Sequence, residues 1–257
     1  MTDIAPEQQN QRLAVLIDAD NTSPSHAKGI LEELARYGVP TVKRAYGDWT
    51  TQNLVGWKNA LPLHAIQPIQ QFANTVGKNS TDSALIIDAM DLLYADNVEA
   101  FAIVSSDSDF TRLATRLRES GKTVYGFGRR TTPASLQSAC DRFIFLDLLG
   151  DPGDRQVVQP GDEQADPPPP IEPILRSAME SLDPDGGWVH LSALGSYLTK
   201  RNAAFDSRDY GHRNLSGLAR SQGYLEVEPK NRQVRLRAAA RAKRPATKTA
   251  KKAAKKS

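Results

Sequence analysis

Between residues 13 and 146, short apolar runs alternate with longer stretches whose apolar side chains recur at helical spacing. No other feature of the chain constrains its fold as much. The runs at 13–17 and 100–104 are unbroken series of Leu, Ile, Val, Ala and Phe, as in strands buried on both faces. Further strand-length runs lie at 41–47, 122–128 and 143–146. Between them Ile30, Leu31, Leu34 and Ala35, then Leu85, Ile86, Ala89, Leu92 and Leu93, then Leu113, Ala114 and Leu117 each fall on one side of a helix. Pro24 suits the start of the first of these helices and Gly38 its end. A helix through Leu54, Val55 and Trp57 should stop near Pro62, and a short one should follow Pro133. Strands alternating with helices form a parallel sheet with right-handed crossovers and helices on both faces. The weakly alternating segment 64–69 contains Pro68, which cannot donate to a ladder, so this strand belongs on the outer edge.

Two of the strands run straight into acids. Asp18-Ala19-Asp20-Asn21 follows the first, and Ser105-Ser106-Asp107-Ser108-Asp109-Phe110 follows the run at 100–104. In an open α/β sheet ligands bind at the carboxyl ends of the strands, where successive connections leave for opposite faces. A Ser or Asp before a helix also caps backbone donors. A cap accounts for one residue, and Ser108 is assigned that part. Lys78-Asn79-Ser80-Thr81-Asp82 opens a helix, with Ser80 or Thr81 as its cap and Asp82 in its first turn, directed at the same crevice.

Four or five carboxylates gathered there raise one another's pKa unless a cation compensates. All-oxygen ligands suit Mg²⁺ or Mn²⁺, and Asp18, Asp82, Asp107 and Asp109 are the expected ligands. The two histidines of this half, His26 and His64, belong to other segments. A hard cation held by aspartates activates water and neutralises charge on a phosphate, which is the chemistry of phosphodiester hydrolysis. Asn21 would hydrogen-bond the water or the phosphate. Ser105 and Ser106 would offer oxygens or backbone N–H groups to substrate, and Lys78, Arg129 and Arg130 would meet its phosphates, although the two arginines read equally well as solvated surface charges.

The chain of 257 residues is 39% hydrophobic and 25% charged, an ordinary globular composition, and it has no apolar run of the length a membrane helix needs. The single cysteine, Cys140, excludes an intrachain disulfide and a cysteine-cluster zinc site, reads as a small buried residue and points to the cytoplasm. The net charge of +3 conceals an asymmetry, because eight Lys or Arg and no acid lie in residues 238–257. The rest of the chain is therefore acidic, with a basic tail that reads as disordered and suited to phosphate backbones.

Residues 12–149 make the first domain on this reading. Residues 150–170 form a Pro-rich acidic linker ending in Pro167-Pro168-Pro169-Pro170, a semi-rigid spacer. A second domain spans residues 171–237. Ile174, Leu175, Ala178, Met179 and Leu182 mark one helix, Leu194, Tyr197 and Leu198 a second, and Leu215, Leu218 and Ala219 a third. Alternation around Leu225 and Val227, then Val234 and Leu236, marks a hairpin. Three short helices and a hairpin is the plan of a winged helix-turn-helix, used for nucleic acid and for protein docking alike.

Three blocks of the first domain resemble the NYN domain of the PIN-like nuclease superfamily, in its LabA-like group. They are Leu16-Ile17-Asp18-Ala19-Asp20-Asn21, Lys78-Asn79-Ser80-Thr81-Asp82 with Asp88 after it, and Ser105-Ser106-Asp107-Ser108-Asp109-Phe110. Ser106 stands where many relatives carry Gly. The blocks at 189–195 and 205–211, the latter Phe205-Asp206-Ser207-Arg208-Asp209-Tyr210-Gly211, resemble an OST-HTH (LOTUS) domain. The first resemblance implies a PIN-like α/β/α sandwich and metal-dependent RNA endonuclease chemistry, with Asp18, Asn21, Asp82, Asp107 and Asp109 as the catalytic set. It assigns Asp88 to a further family acid, but six residues past Asp82 that side chain lies on another helical face, which suits an ion pair. The second implies binding of single-stranded or structured RNA, or docking to a protein partner. Two other readings stand beside the nuclease: a catalytically weak RNA-binding adaptor, and a phosphatase-like or nucleotide-handling α/β enzyme. The last is disfavoured because no phosphate-cradling glycine loop follows the first strand.

Overall fold

The computed structural model describes residues 11–72, 80–149 and 167–237. Lys78, most of the linker and the basic tail lie outside them. The first domain runs β1 (Arg12–Asp18), α1 (Ala27–Leu34), β2 (Val39–Gly47), α2 (Trp57–Leu63), β3 (Gln67–Gln70), α3 (Ser80–Ala95), β4 (Ala100–Val104), α4 (Thr111–Glu119), β5 (Thr123–Gly128), α5 (Ala134–Ala139) and β6 (Arg142–Phe145). All six strands are parallel, in the order β3-β2-β1-β4-β5-β6. The strand with Pro68 is the outer one, as its missing N–H requires.

The strand period of two sorts side chains into two cores. Leu13, Val15 and Ile17 of β1 pack with Ile30, Leu34 and Trp57 from the α1 and α2 layer. Ala14 and Leu16, with Phe101 and Ile103 of β4, pack with Leu85, Ala89, Leu113 and Leu117 from the α3 and α4 layer. The same parity sends Asp18 and Ser105, which end these strands, toward the α3 side. Since β1 leaves for one layer and β4 for the other, the crevice opens between them.

Two prolines fall inside elements, Pro62 in a helix that it was expected to end. Pro40 lies within β2, where the register against β1 slips between Leu13 and Ala14, and such a bulge accommodates a residue without an N–H. Pro62 lies within α2 rather than beyond it.

The second domain contains α6 (Ile171–Leu182), β7 (Val189–His190), α7 (Leu191–Arg201), α8 (Leu215–Ser221), β8 (Leu225–Glu228) and β9 (Gln233–Leu236). The expected hairpin β8–β9 gains β7 as a third antiparallel strand. Its core gathers Leu175, Met179, Leu194, Leu198, Leu225 and Val234. Among the described residues no helix is long and apolar enough to cross a membrane.

The two domains are joined by polar contacts at the β6 edge. Phe143 donates its backbone N–H to the carbonyl of Ala203 at 2.8 Å, pairing a group that the last strand would leave open. Ala204 is buried against the first domain's core. Arg208 reaches Glu33 of α1 at 3.0 Å and Asp206 at 2.8 Å, and Arg142 of β6 lies 3.5 Å from Asp206. Burial alone would raise the carboxyls of Glu33 and Asp206. Arg208 together with Arg36 and Tyr37 at Glu33, and together with Arg142 at Asp206, outweighs it and holds both below the ordinary carboxylate range. Asp206 also caps the 3₁₀ turn Ser207–Tyr210, accepting from the N–H of Arg208 at 2.9 Å, and Gly211 ends that turn at φ 76°.

Candidate metal centre

Three carboxylates converge at the open end of the sheet. Oxygens of Asp82, Asp107 and Asp109 lie within 4.8 Å of one another. Asp82 comes from the first turn of α3. The other two come from the turn after β4, where Asp107 is itself the N-cap, its Oδ1 accepting from the N–H of Asp109 at 2.9 Å. The cap assigned to Ser108 is therefore made by Asp107, whose extended backbone places its side chain over the turn's free donors.

Asp18 lies behind this trio and outside it. It is 1% exposed, accepts from Ser105 Oγ at 2.7 Å and from Asn21 Nδ2 at 2.8 Å, and burial pushes its carboxyl upward while those two bonds oppose the rise. Ser105 had been expected at the substrate. It is also 1% exposed and turned inward, giving its hydroxyl proton to Asp18 and accepting from the N–H of Asp107 at 3.1 Å. It thus ties the ends of β1 and β4 together. Asp20 accepts from Thr81 at 3.0 Å, linking the β1 turn to the start of α3 and so to Asp82. Asp88 takes the ion pair expected of it, with Arg44, and also accepts from the Tyr46 hydroxyl. Both partners lie on β2, so α3 is pinned to the sheet about 1.7 turns beyond Asp82.

The two arginines are placed differently. Arg130 is no solvated guide for substrate: it pairs with Asp147 and Asp209 and lies over the Phe145 ring, 4.7 Å from its centroid. Arg129 donates to the Asn21 carbonyl at 3.3 Å, and its backbone N–H is accepted by Ser106 Oγ at 2.8 Å. Ser106 is therefore half-buried and committed to the β5 end. That close approach depends on Gly128, because a Cβ there would sit 2.9 Å from the Ser105 carbonyl oxygen.

Electrostatics makes the trio a fit for a hard cation. Burial and the charges of Asp18, Asp107, Asp109 and Asp20 push Asp82 up to about 6. An all-carboxylate donor set of this kind favours Mg²⁺ or Mn²⁺. In metal-free protein the same crowding destabilises the fold as pH rises. The folded state must ionise Asp82 near pH 6, whereas the unfolded chain has done so near pH 4. Metal-free Asp82→Asn should therefore be more stable at pH 7 by about 0.5–1 kcal/mol, a figure reduced for solvent screening. The gain should vanish below pH 4, as urea melts of the two proteins at both pH values will read.

The NYN domain family model matches residues 12–147 and the OST-HTH/LOTUS domain model residues 166–234. Among curated proteins none matches the chain. A crystal structure of a protein of unknown function from Vibrio parahaemolyticus RIMD 2210633 is similar at 18% identity and a TM-score of 0.46, covering 53% of this chain and 93% of that one.

Proposed function

Because the chain belongs to the NYN-domain family, we propose that it is a Mg²⁺- or Mn²⁺-dependent RNA endonuclease whose OST-HTH domain recruits the RNA. The observation that carries this reading is the convergence of Asp82, Asp107 and Asp109 at the sheet's switch point. Their carboxylates would hold the ion. Bound there, it would supply an activated water and charge neutralisation for phosphodiester hydrolysis.

The chain's own residues do the rest. Asp107 keeps its Oδ1 on the Asp109 N–H, which fixes the two acids relative to each other. Asp18 adds negative charge behind the trio and is held in place by Ser105 and Asn21. Asn21 is exposed, so its amide is open to a phosphate or a water while it steadies Asp18. Arg129, whose guanidinium donates to the Asn21 carbonyl, is assigned to the substrate's phosphates. Arg235, half-exposed and paired with Glu226, lies 4.4 Å over the half-exposed Trp188 ring, and this pair is assigned to RNA bases, which stack on aromatic rings and guanidinium planes. The single, buried cysteine suits the reducing cytoplasm.

The test is incubation of full-length protein with end-labelled single-stranded RNA in Mn²⁺ or in EDTA. Internal cleavage in Mn²⁺ and none in EDTA is expected. Equal cleavage in EDTA would overturn metal dependence. Retention of RNA without cleavage would favour the adaptor reading.

A further inference from the structure

Arg130 connects the two domains at the catalytic edge. It directly follows Arg129, whose backbone N–H is accepted by Ser106 Oγ and whose guanidinium donates to the Asn21 carbonyl. The Asp107 N–H in turn is accepted by Ser105 Oγ, in the same turn as Ser106. Arg130 is held from three sides. Phe145 supports its face, Asp147 accepts from Nε at 2.9 Å, and Asp209 accepts from its other end. Asp209 belongs to the second domain, and its side chain is 7% exposed. Asp147 is half-exposed, with a side chain at 48%, so Asp209 is the more desolvated and the more tightly fixed of the two partners.

The turn that carries Asp209 cannot drift independently. Phe143 with Ala203, Arg142 with Asp206 and Arg208 with Glu33 hold it to the first domain along a stretch of only seven residues, 203–209. A rigid element of one domain thus clamps the loop that abuts the acid-bearing turn of the other.

We propose that Asp209 is a positioning residue of the carboxylate site: through Arg130 it fixes the Arg129–Ser106 contact and thereby the turn bearing Asp107 and Asp109. The second domain is on this account a structural part of the site as well as a module beside it. The inference rests on the metal-nuclease reading for its effect on metal, and on geometry alone for its effect on the loop.

Both parts are measured on full-length protein. Amide hydrogen exchange at Arg129 and Asp107, read by NMR without metal, should be about tenfold faster in Asp209→Asn than in wild type. Asp209→Glu, which keeps the charge, should restore most of the protection, a rescue that a general loss of structure would not show. Titration with Mn²⁺ alone, followed by its electron spin resonance signal, should show about three- to tenfold weaker binding in Asp209→Asn and recovery in Asp209→Glu. Exchange at Arg129 and Asp107 identical in Asp209→Asn and wild type would overturn the proposal. If wild type takes up no Mn²⁺, the metal reading fails while the exchange rates still decide whether Asp209 positions the turn.

Discussion

Asp107→Asn should cut RNA at least about a thousandfold more slowly than wild type, while melting at nearly the same temperature. The pairing of these outcomes follows from what Asp107 does in the fold. Its Oδ1 accepts the Asp109 N–H as the cap of the 3₁₀ turn Ser108–Phe110. Asn caps as well as Asp, because its amide oxygen accepts the same bond. The substitution therefore removes one charge from the trio and leaves the turn intact. Asp107→Ala would remove the cap also, costing about 1 kcal/mol, so comparing the two variants separates chemistry from structure. Cleavage rates and thermal melts on the same preparations check both halves.

Arg208→Ala should destabilise the protein by about 3 kcal/mol at pH 7. Arg208 is the cation shared by Glu33 and Asp206, which are 5% and 7% exposed. Its loss leaves two buried carboxylates with weaker partners, Arg36 and Tyr37 for Glu33 and Arg142 for Asp206. The effect has a definite pH dependence. Both carboxyls are held below their ordinary values. Their contribution is thus complete above about pH 4–4.5 and is lost as pH falls through the folded-state values. The difference between wild type and Arg208→Ala should be full at pH 7 and should shrink in acid, as urea unfolding at pH 7 and at pH 3 will show.

The parts of the molecule that are legible in the sequence are those written locally. Continuous apolar runs marked β1 and β4, and Pro68 marked the edge strand, because burial on two faces and the lack of an N–H act within one segment. The acids after those runs lie at the sheet's open end because both parallel strands finish there. What the sequence could not display depends on pairings between distant segments. Strand β7 is two residues long and exists only through β9, 43 positions away at His190 and Gln233. Ser105 looks like any exposed serine beside acids until Asp18, 87 positions away, is found to need its hydroxyl. Arg130 and Asp209 are 79 positions apart, and nothing local to either segment points to the other. The Asp206–Asp209 block illustrates the limit most clearly. Read locally it is a capped turn, which it is, but it is also where the second domain docks. Ser108 against Asp107 as cap turns on the extended backbone at Asp107, φ −86° and ψ 130°, which no residue type prescribes.

The proposed nuclease chemistry stands or falls on whether Asp82, Asp107 and Asp109, which converge at the open end of the sheet, together hold a divalent cation. Titration of full-length protein with Mn²⁺, read by electron spin resonance, tests it without reference to any RNA. Saturable binding is expected at pH 7; it should weaken below pH 6, as protons compete for Asp82, and be lost in Asp82→Asn and in Asp107→Asn. Binding of equal strength in wild type and both variants, or no binding at pH 7, would contradict it.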